Sequence, residues 1–258
     1  MLPAHFRRVN RPLVYGHRGA SAEAPENTLA AFRLAIEQGA DGVELDAQRC
    51  ATGEVVVVHD ESLLRTTGHD GLVTRTAWSE LAALDAGGWK AERFRGERVP
   101  LLAEVLEAVP RLVNVELKCD TANDGGLTAE VVRIVGEAGA GERVLLSSFN
   151  PLCLLRARLL APRIARALLF ERDQRWVLRS GLSAPAVGAL ALHPEHVLAT
   201  PERVARWRKR GYSIGCWTVD DPDAGDRLYR SGVDALITNR PSLLRSRLAG
   251  TVAGVTAR

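Results

Sequence analysis

The fold is decided by one stretch, Tyr15-Gly16-His17-Arg18-Gly19, together with its continuation Ala24-Pro25-Glu26-Asn27-Thr28. The apolar run from Leu13 to Tyr15 predicts a strand, and apolar residues at helical spacing after Thr28 predict a helix. Glycines on both sides of the His-Arg pair allow a sharp turn and leave room for a ligand. A histidine and an arginine at a strand end suit proton transfer beside a phosphate. A polar turn without a function fits this stretch equally well.

The alternation of strand and helix continues along the chain. Strands are predicted at 13–17, 42–46, 112–117, 144–149, 164–170, 189–193, 212–219 and 235–239. Helices are predicted after Thr28, Pro100 and Pro241, and at 128–138, 151–160, 174–179, 201–210 and 223–231. Eight such units in 258 residues predict an α/β fold, a (β/α)8 TIM barrel. A doubly wound open sheet is the alternative.

Two segments depart from this rhythm. The run from Val55 to Val58 is predicted to be the return arm of a hairpin on the second strand. Residues 61–98 are rich in Gly, Thr, Arg and Trp, with one short helical piece from Trp78 to Leu84. We therefore predict a single domain over residues 1–258, with a small insertion after the second strand at about 61–98.

The composition and charge of the chain are typical of a globular protein. Hydrophobic residues make up 46% and charged residues 25% of the chain, as in ordinary globular proteins. The net charge of +3 does not indicate nucleic-acid binding. The four cysteines form no CxxC pair, which predicts reduced thiols and a cytoplasmic protein. No apolar run is long enough for a secretory signal or a membrane span, so we expect no stable membrane association.

Three carboxylates are predicted to converge at the carboxyl ends of the strands, where barrel enzymes carry their active sites. Glu44 and Asp46 are two positions apart, so they share a face of one strand, and Glu116 ends another. Three carboxylates suit a hard divalent cation, Mg²⁺ or Ca²⁺. The alternative is a buried charge network in which they pair with Arg18 and Lys118. Arg18 and Lys118 can also neutralise the charge of a phosphate, and they can do so while they pair with the carboxylates.

Two histidines and two aromatic residues are predicted at the same rim. His17 and His59 end strand-like runs, where one imidazole can accept a proton and the other can donate one. Phe149 and Trp217 can wall a pocket for an alcohol, although ordinary packing explains Phe149 as well. Cys119 and Cys216 are expected in the core, because strand alternation turns them away from Lys118 and Trp217.

These residues stand in runs that form a recognisable set. The runs are His17-Arg18-Gly19, Pro25-Glu26-Asn27-Thr28, Glu44-Leu45-Asp46, Val58-His59-Asp60, Arg65-Thr66-Thr67, Val115-Glu116-Leu117-Lys118, Ser147-Ser148-Phe149 and Trp217-Thr218-Val219. The set resembles the signature of the glycerophosphodiester phosphodiesterase family. The resemblance extends from about Tyr15 to Pro241.

The resemblance implies a barrel enzyme that hydrolyses a glycerophosphodiester to glycerol 3-phosphate and an alcohol. It implies that His17 and His59 are the acid/base pair and that Arg18 contacts the phosphate. It also implies that Glu44, Asp46 and Glu116 hold one divalent cation, with Lys118 in the site. The expected partner is a small-molecule substrate, and the expected state is a monomer or a homodimer.

Two other functions fit the sequence. A non-catalytic module that binds phosphate esters would keep the barrel, but no histidine or carboxylate of the set is missing. A lysophospholipase D-type activity would need an apolar surface near the rim. Leu152, Leu154, Leu155 and Trp176 are candidates for that surface, although helix packing explains them more simply.

Overall fold

Nine strands alternate with helices in the computed structural model, which describes residues 2–7, 11–174 and 181–255 of the chain. The strands are β1 (Leu13–His17), β2 (Gly42–Arg49), β3 (Val55–Val57), β4 (Leu112–Leu117), β5 (Val144–Ser148), β6 (Ala165–Phe170), β7 (Ala191–Pro194), β8 (Ser213–Cys216) and β9 (Ala235–Thr238). Most strand residues are buried on both faces of the sheet, which explains their nearly continuous apolar runs.

Eight of these strands are parallel and close into a barrel. Their order in the sheet is β1-β9-β8-β7-β6-β5-β4-β2-β3, and β1 also pairs with β2. The first strand therefore lies between the last barrel strand and the second one. The predicted (β/α)8 barrel is confirmed, and the open doubly wound sheet is excluded because the two ends of the sheet meet.

Apart from α2, which was not predicted, the helices of the described residues follow the predicted order. They are α1 (Leu29–Glu37), α2 (Leu64–Thr67), α3 (Trp78–Leu81), α4 (Leu102–Ala108), α5 (Leu127–Glu137), α6 (Pro151–Leu160), α7 (Pro201–Lys209), α8 (Pro222–Ser231) and α9 (Pro241–Val255). Side chains of Thr28, Asn150, Thr200 and Asp221 accept backbone N–H groups at four helix starts. Of the helix predicted at 174–179, residues 175–179 lie outside the described residues.

After the second strand the chain forms a hairpin and then a segment with little regular structure. β3 pairs antiparallel with β2, with Ala47 opposite Val57, as the hairpin prediction requires. Between residues 61 and 98 the chain forms only α2, α3 and two short 3-10 segments. Its apolar residues Leu63, Val73 and Leu81 form a small buried cluster with Val58, which follows the hairpin. The inserted segment thus packs directly behind one side of the barrel rim.

Helices cover the barrel and hold its strands in place. One buried cluster joins Phe32 of α1 and Leu106 of α4 to Val43 of β2, and another joins Trp207 of α7 to Ile214 of β8. Among the described residues, no helix combines the length and apolar character needed to cross a membrane. Because the eight barrel strands are parallel, their carboxyl ends share one rim.

Candidate active site

The three predicted carboxylates lie together at this rim. Glu44 and Asp46 come from β2 and Glu116 from β4, and the strand register places Asp46 directly beside Glu116. One carboxylate oxygen from each residue lies within 4.8 Å of the others, and all three residues are buried. They are the one group of this kind found among the described residues.

Burial and mutual repulsion dominate the electrostatics of this cluster. Burial, followed by the charges of Asp46 and Glu116, raises the pKa of Glu44 well above its ordinary value. Burial and the charge of Asp46 raise the pKa of Glu116 to about 7. Burial also acts to raise the pKa of Asp46, but Arg18 and Lys118 outweigh it and bring that pKa below its ordinary value. The three groups therefore need positive charge to ionise together.

Two basic side chains supply part of that charge. Arg18 Nε lies 3.2 Å from Asp46 Oδ2, an ion pair without an aligned hydrogen bond. Lys118 Nζ lies 3.1 Å from Glu116 Oε1 and 3.7 Å from Asp46 Oδ1. The charge network expected as an alternative is therefore present in the structure.

The cluster still has the donors that a hard cation requires. Asp46 Oδ1 is buried and accepts no hydrogen bond. Buried carboxylate oxygens normally have a partner, so this one calls for an explanation. The three carboxylates offer an all-oxygen ligand set, which is the set that Mg²⁺ and Ca²⁺ prefer. The residues present thus fit a divalent cation.

A tight turn brings Arg18 into the cluster. Arg18 has φ 54° and Gly19 has φ 85°, and Gly19 N donates to Gly16 O at 3.1 Å. A Cβ on Gly19 would lie 2.5 Å from the backbone carbon of Ala31, so a side chain cannot be placed there. The glycine is therefore needed both for its φ angle and for its close approach to α1.

His17 is oriented by an amide from the far end of the chain. Its Nδ1 lies 2.7 Å from Asn239 Oδ1, and Asn239 Nδ2 donates to Asp220 Oδ2 at 2.6 Å. The second ring nitrogen, Nε2, lies 3.9 Å from Glu44 Oε2. Burial and then the Arg18 charge lower the pKa of His17 to about 4. An imidazole held in this way presents an unprotonated Nε2 toward the carboxylates.

His59 has a different kind of partner. Its Nδ1 lies 2.7 Å from Asp60 Oδ1, so it pairs with a carboxylate instead of an amide. Gln48 fixes the backbone of this segment, because its Nε2 donates to the carbonyls of Val58, His59 and Asp60 at 3.0, 2.9 and 3.0 Å. The Asp60 carboxylate therefore fixes the orientation of the His59 ring by accepting from its Nδ1.

One cleft of about 350 Å³ joins these groups. The predicted residues that line it are His17, Arg18, Glu44, His59, Glu116, Lys118, Phe149 and Trp217. Asp46 lies behind this lining and contacts Arg18 and Lys118. The rings of Phe149 and Trp217 meet edge to face with their centres 5.4 Å apart, so the cleft has one aromatic wall.

The structure corrects one expectation and adds residues that sequence reasoning did not single out. Cys216 is buried as predicted, but Cys119 is partly exposed and lines the cleft. Strand alternation does not apply to Cys119 because β4 ends at Leu117. Asn27 was not singled out, although its Nδ2 donates to Asp46 Oδ2 at 2.8 Å, and neither was Asn239. A signal for Asn239 is its position at the carboxyl end of the last predicted strand.

This fold and this site have counterparts among known proteins. Residues 17–243 match the model of the glycerophosphoryl diester phosphodiesterase family. A glycerophosphodiester phosphodiesterase of Caldanaerobacter subterraneus subsp. tengcongensis is 38% identical over 239 residues, which are 91% of this chain and 96% of that protein. The chain belongs to the glycerophosphoryl diester phosphodiesterase family, and the expected class of enzyme, a phosphoric diester hydrolase, is confirmed.

Solved structures agree with this membership. A phosphodiesterase of Oleispira antarctica, in complex with the product sn-glycerol-3-phosphate, superposes with a TM-score of 0.85 and 32% identity, covering 93% of this chain and 97% of that one. A glycerophosphodiester phosphodiesterase of Agrobacterium tumefaciens superposes with a TM-score of 0.76 and 30% identity, covering 91% and 99%.

Proposed function

We propose that this enzyme hydrolyses glycerophosphodiesters to glycerol 3-phosphate and an alcohol, with His17 and His59 as the acid/base pair. The observation that carries the proposal is that both histidines line the cleft beside the three carboxylates, each with its Nδ1 already engaged. The Oleispira antarctica relative, which holds sn-glycerol-3-phosphate, supports the choice of substrate.

The proposed cation site consists of Glu44, Asp46 and Glu116. A divalent cation bound there supplies Lewis-acid stabilisation of the charge on the phosphate oxygens. Arg18 and Lys118 line the same cleft and add positive charge for the phosphate. The aromatic wall of Phe149 and Trp217 is proposed to contact the alcohol part of the substrate.

The partners of the two histidines suggest their roles. His17 donates from Nδ1 to a neutral amide, which leaves Nε2 free to accept the proton of the attacking hydroxyl, whether from water or from the glycerol. His59 lines the same cleft with its Nδ1 held by Asp60, and we assign it the complementary step, donation of a proton from Nε2 to the leaving alkoxide. We therefore propose His17 as the first base and His59 as the acid.

A second candidate function is cleavage of lysophospholipids, and one observation favours it. α6 starts directly after Phe149 and Asn150, and its Leu152, Leu155 and Leu159 are 43%, 37% and 75% exposed. Their spacing places them on one side of the helix. Leu154 is buried, and Trp176 lies outside the described residues. An acyl chain leaving the cleft could lie along this exposed side.

One panel of assays tests these functions. Glycerophosphodiesters and lysophospholipids are each supplied to the chelator-treated protein and to protein reloaded with Mg²⁺ or Ca²⁺. We expect turnover of glycerophosphodiesters that is lost with the chelator and restored by a cation. Faster turnover of lysophospholipids would favour the second function, and tight glycerol 3-phosphate binding without turnover would favour a binding module.

The acid/base assignment is tested with His17→Ala and His59→Ala. Each variant should lose about 10²- to 10⁴-fold in kcat, the usual contribution of a positioned acid or base. His69→Ala is the matched control, because His69 lies in the inserted segment and pairs with Glu80 at 3.2 Å. Activity close to the control in either variant would remove that histidine from the mechanism.

A further inference from the structure

Arg65, which belongs to the inserted segment, binds two carboxylates of the barrel rim at once. Its Nη1 and Nη2 donate to Glu26 Oε2 and Oε1 at 2.9 and 2.7 Å, a two-pronged contact. Its Nε donates to Asp60 Oδ2 at 2.5 Å. One guanidinium thus uses three of its N–H groups to connect two segments that are far apart in sequence.

Both carboxylates hold a residue of the proposed active site through their remaining contacts. Asp60 Oδ1 lies 2.7 Å from His59 Nδ1. Glu26 Oε1 also accepts from Arg18 Nη1 at 2.9 Å. The contacts form a continuous chain of charges from Arg18 through Glu26, Arg65 and Asp60 to His59.

We propose that Arg65 is a positioning residue for catalysis: by clamping Asp60 to Glu26 it fixes the His59 ring relative to the phosphate-binding side of the cleft. The inference rests on the proposed function of His59 as the acid. Arg18 is also held by Asp46, which lies 3.2 Å from its Nε. Removal of the Arg65 contacts should therefore change the position of His59 more than that of Arg18.

The ion pairs of Arg65 are expected to contribute little to the free energy of unfolding. The Arg65 and Asp60 side chains are 44% and 31% exposed, and ion pairs with this much solvent access contribute about 0–1 kcal/mol. Glu26 is only 13% exposed, but it keeps Arg18 as a second partner when Arg65 is removed. A displacement of about 1 Å in a catalytic group can nevertheless cost about 100-fold in rate. Catalysis should therefore suffer much more than stability when the clamp is removed.

Kinetics of Arg65→Ala provide the first test. We expect kcat to fall about 10- to 100-fold, with KM changed less than about threefold and the melting temperature nearly unchanged. Arg65→Lys, which keeps the charge but loses the fork, should be intermediate. The matched control is Arg95→Ala, because Arg95 lies in the same segment and makes a similar two-pronged contact with Glu92 at 2.6 and 2.7 Å. A kcat equal to that of the control would overturn the proposal.

A double variant tests whether Arg65 acts through Asp60. Arg65→Ala combined with Asp60→Ala should be no slower than Asp60→Ala alone, because the clamp has nothing left to position. Rate losses that multiply would show that Arg65 acts by another route and would overturn the inference.

Nuclear magnetic resonance of the His59 ring gives a readout that does not depend on turnover. With the signals assigned through His59→Gln, the native ring should show a slowly exchanging proton on Nδ1 that Asp60 holds, and in Arg65→Ala the signal of that proton should broaden or disappear. An unchanged His59 spectrum in Arg65→Ala would contradict the positioning role. If the native enzyme cleaves no phosphodiester, the proposed function fails, and this spectrum alone decides the clamp.

Discussion

At the scale of single residues, the two histidines of the cleft have different hydrogen-bond partners. His17 meets the amide of Asn239, and His59 meets the carboxylate of Asp60. Burial and then the Arg18 charge lower the pKa of His17 to about 4, which favours its neutral form. Such a difference between the two imidazoles is needed if one of them is to accept a proton and the other is to donate one.

Replacing Asn239 should therefore impair the proposed base, His17. In Asn239→Ala the ring of His17 loses the acceptor at its Nδ1, so its tautomer and orientation are no longer fixed. We expect kcat on a glycerophosphodiester to fall about 10- to 100-fold. Gln38→Ala removes an amide that contacts Glu23 and serves as the control. Equal rates for the two variants would show that Asn239 does not orient the base.

How far sequence reasoning reaches at this scale depends on the separation of partners along the chain. Asp60 follows His59 directly, so a motif reveals it. Asn239 lies 222 positions from His17, and no spacing rule joins the two. Cys119 was misplaced because alternation ends where β4 ends, and strand ends are the least reliable part of such a prediction.

At the scale of elements, β1 is fixed at its start by a carboxylate from the loop before β2. Asp41 Oδ2 accepts from Arg11 Nη1 at 2.7 Å and from Val14 N at 2.9 Å. Asp41 Oδ1 accepts from Arg11 Nη2 at 2.8 Å. Burial alone would raise the pKa of Asp41, but these hydrogen bonds outweigh it and hold that pKa below its ordinary value.

This contact predicts a definite pH dependence of stability. Because the folded-state pKa of Asp41 is the lower one, its contribution is fully present above the unfolded value of about 3.9 and is lost as the pH falls through the folded value. Asp41→Asn should lower the melting temperature at pH 7, by about 2–4 °C for each kcal/mol lost. The gap from the native protein should narrow below about pH 3.

Thermal melts at both pH values check this prediction. Asp70→Asn, at an exposed position of the inserted segment, is the control and should change little at either pH. A gap for Asp41→Asn that stays constant between the two pH values would contradict the assignment.

The order of elements was predictable because each barrel strand is a buried apolar run and most helices carry a cap or a proline at their start. The sequence pattern predicted the position of the inserted segment in the chain, but it did not predict which residues the segment contacts. Its helices α2 and α3 have only four residues each, so hydrogen bonds such as those of Arg65 determine its position more than helical periodicity does.

At the scale of the whole molecule, the carboxylate cluster opposes the stability of the barrel that carries it. Burial and like charge raise the pKa of Glu44 well above its ordinary value. Active sites that hold groups of like charge close together commonly reduce the stability of the folded protein.

Glu44→Gln should therefore reverse the usual effect of a mutation in a buried site. The glutamine keeps an oxygen that can accept from Arg18 N, as Glu44 Oε2 does at 3.0 Å, but removes a charge from the cluster. We expect the metal-free variant to be at least as stable as the metal-free native enzyme in urea unfolding.

Added Mg²⁺ or Ca²⁺ should separate the two proteins in the opposite direction. The native enzyme should gain about 2.7 kcal/mol at a cation concentration 100 times the Kd, and the variant should gain less at that same concentration. An equal gain in both proteins would show that Glu44 is not a ligand.

The closure of the barrel also decides when the enzyme becomes active during its synthesis. β1 needs β9 as a neighbour, and His17 needs Asn239, which directly follows β9. The carboxylates of β2 and β4 leave the ribosome early, but the proposed base, His17, is not oriented until Asn239 has been made. Contacts across such a long stretch of chain form late. A nascent chain therefore holds nearly all of its proposed catalytic groups well before it can turn over substrate.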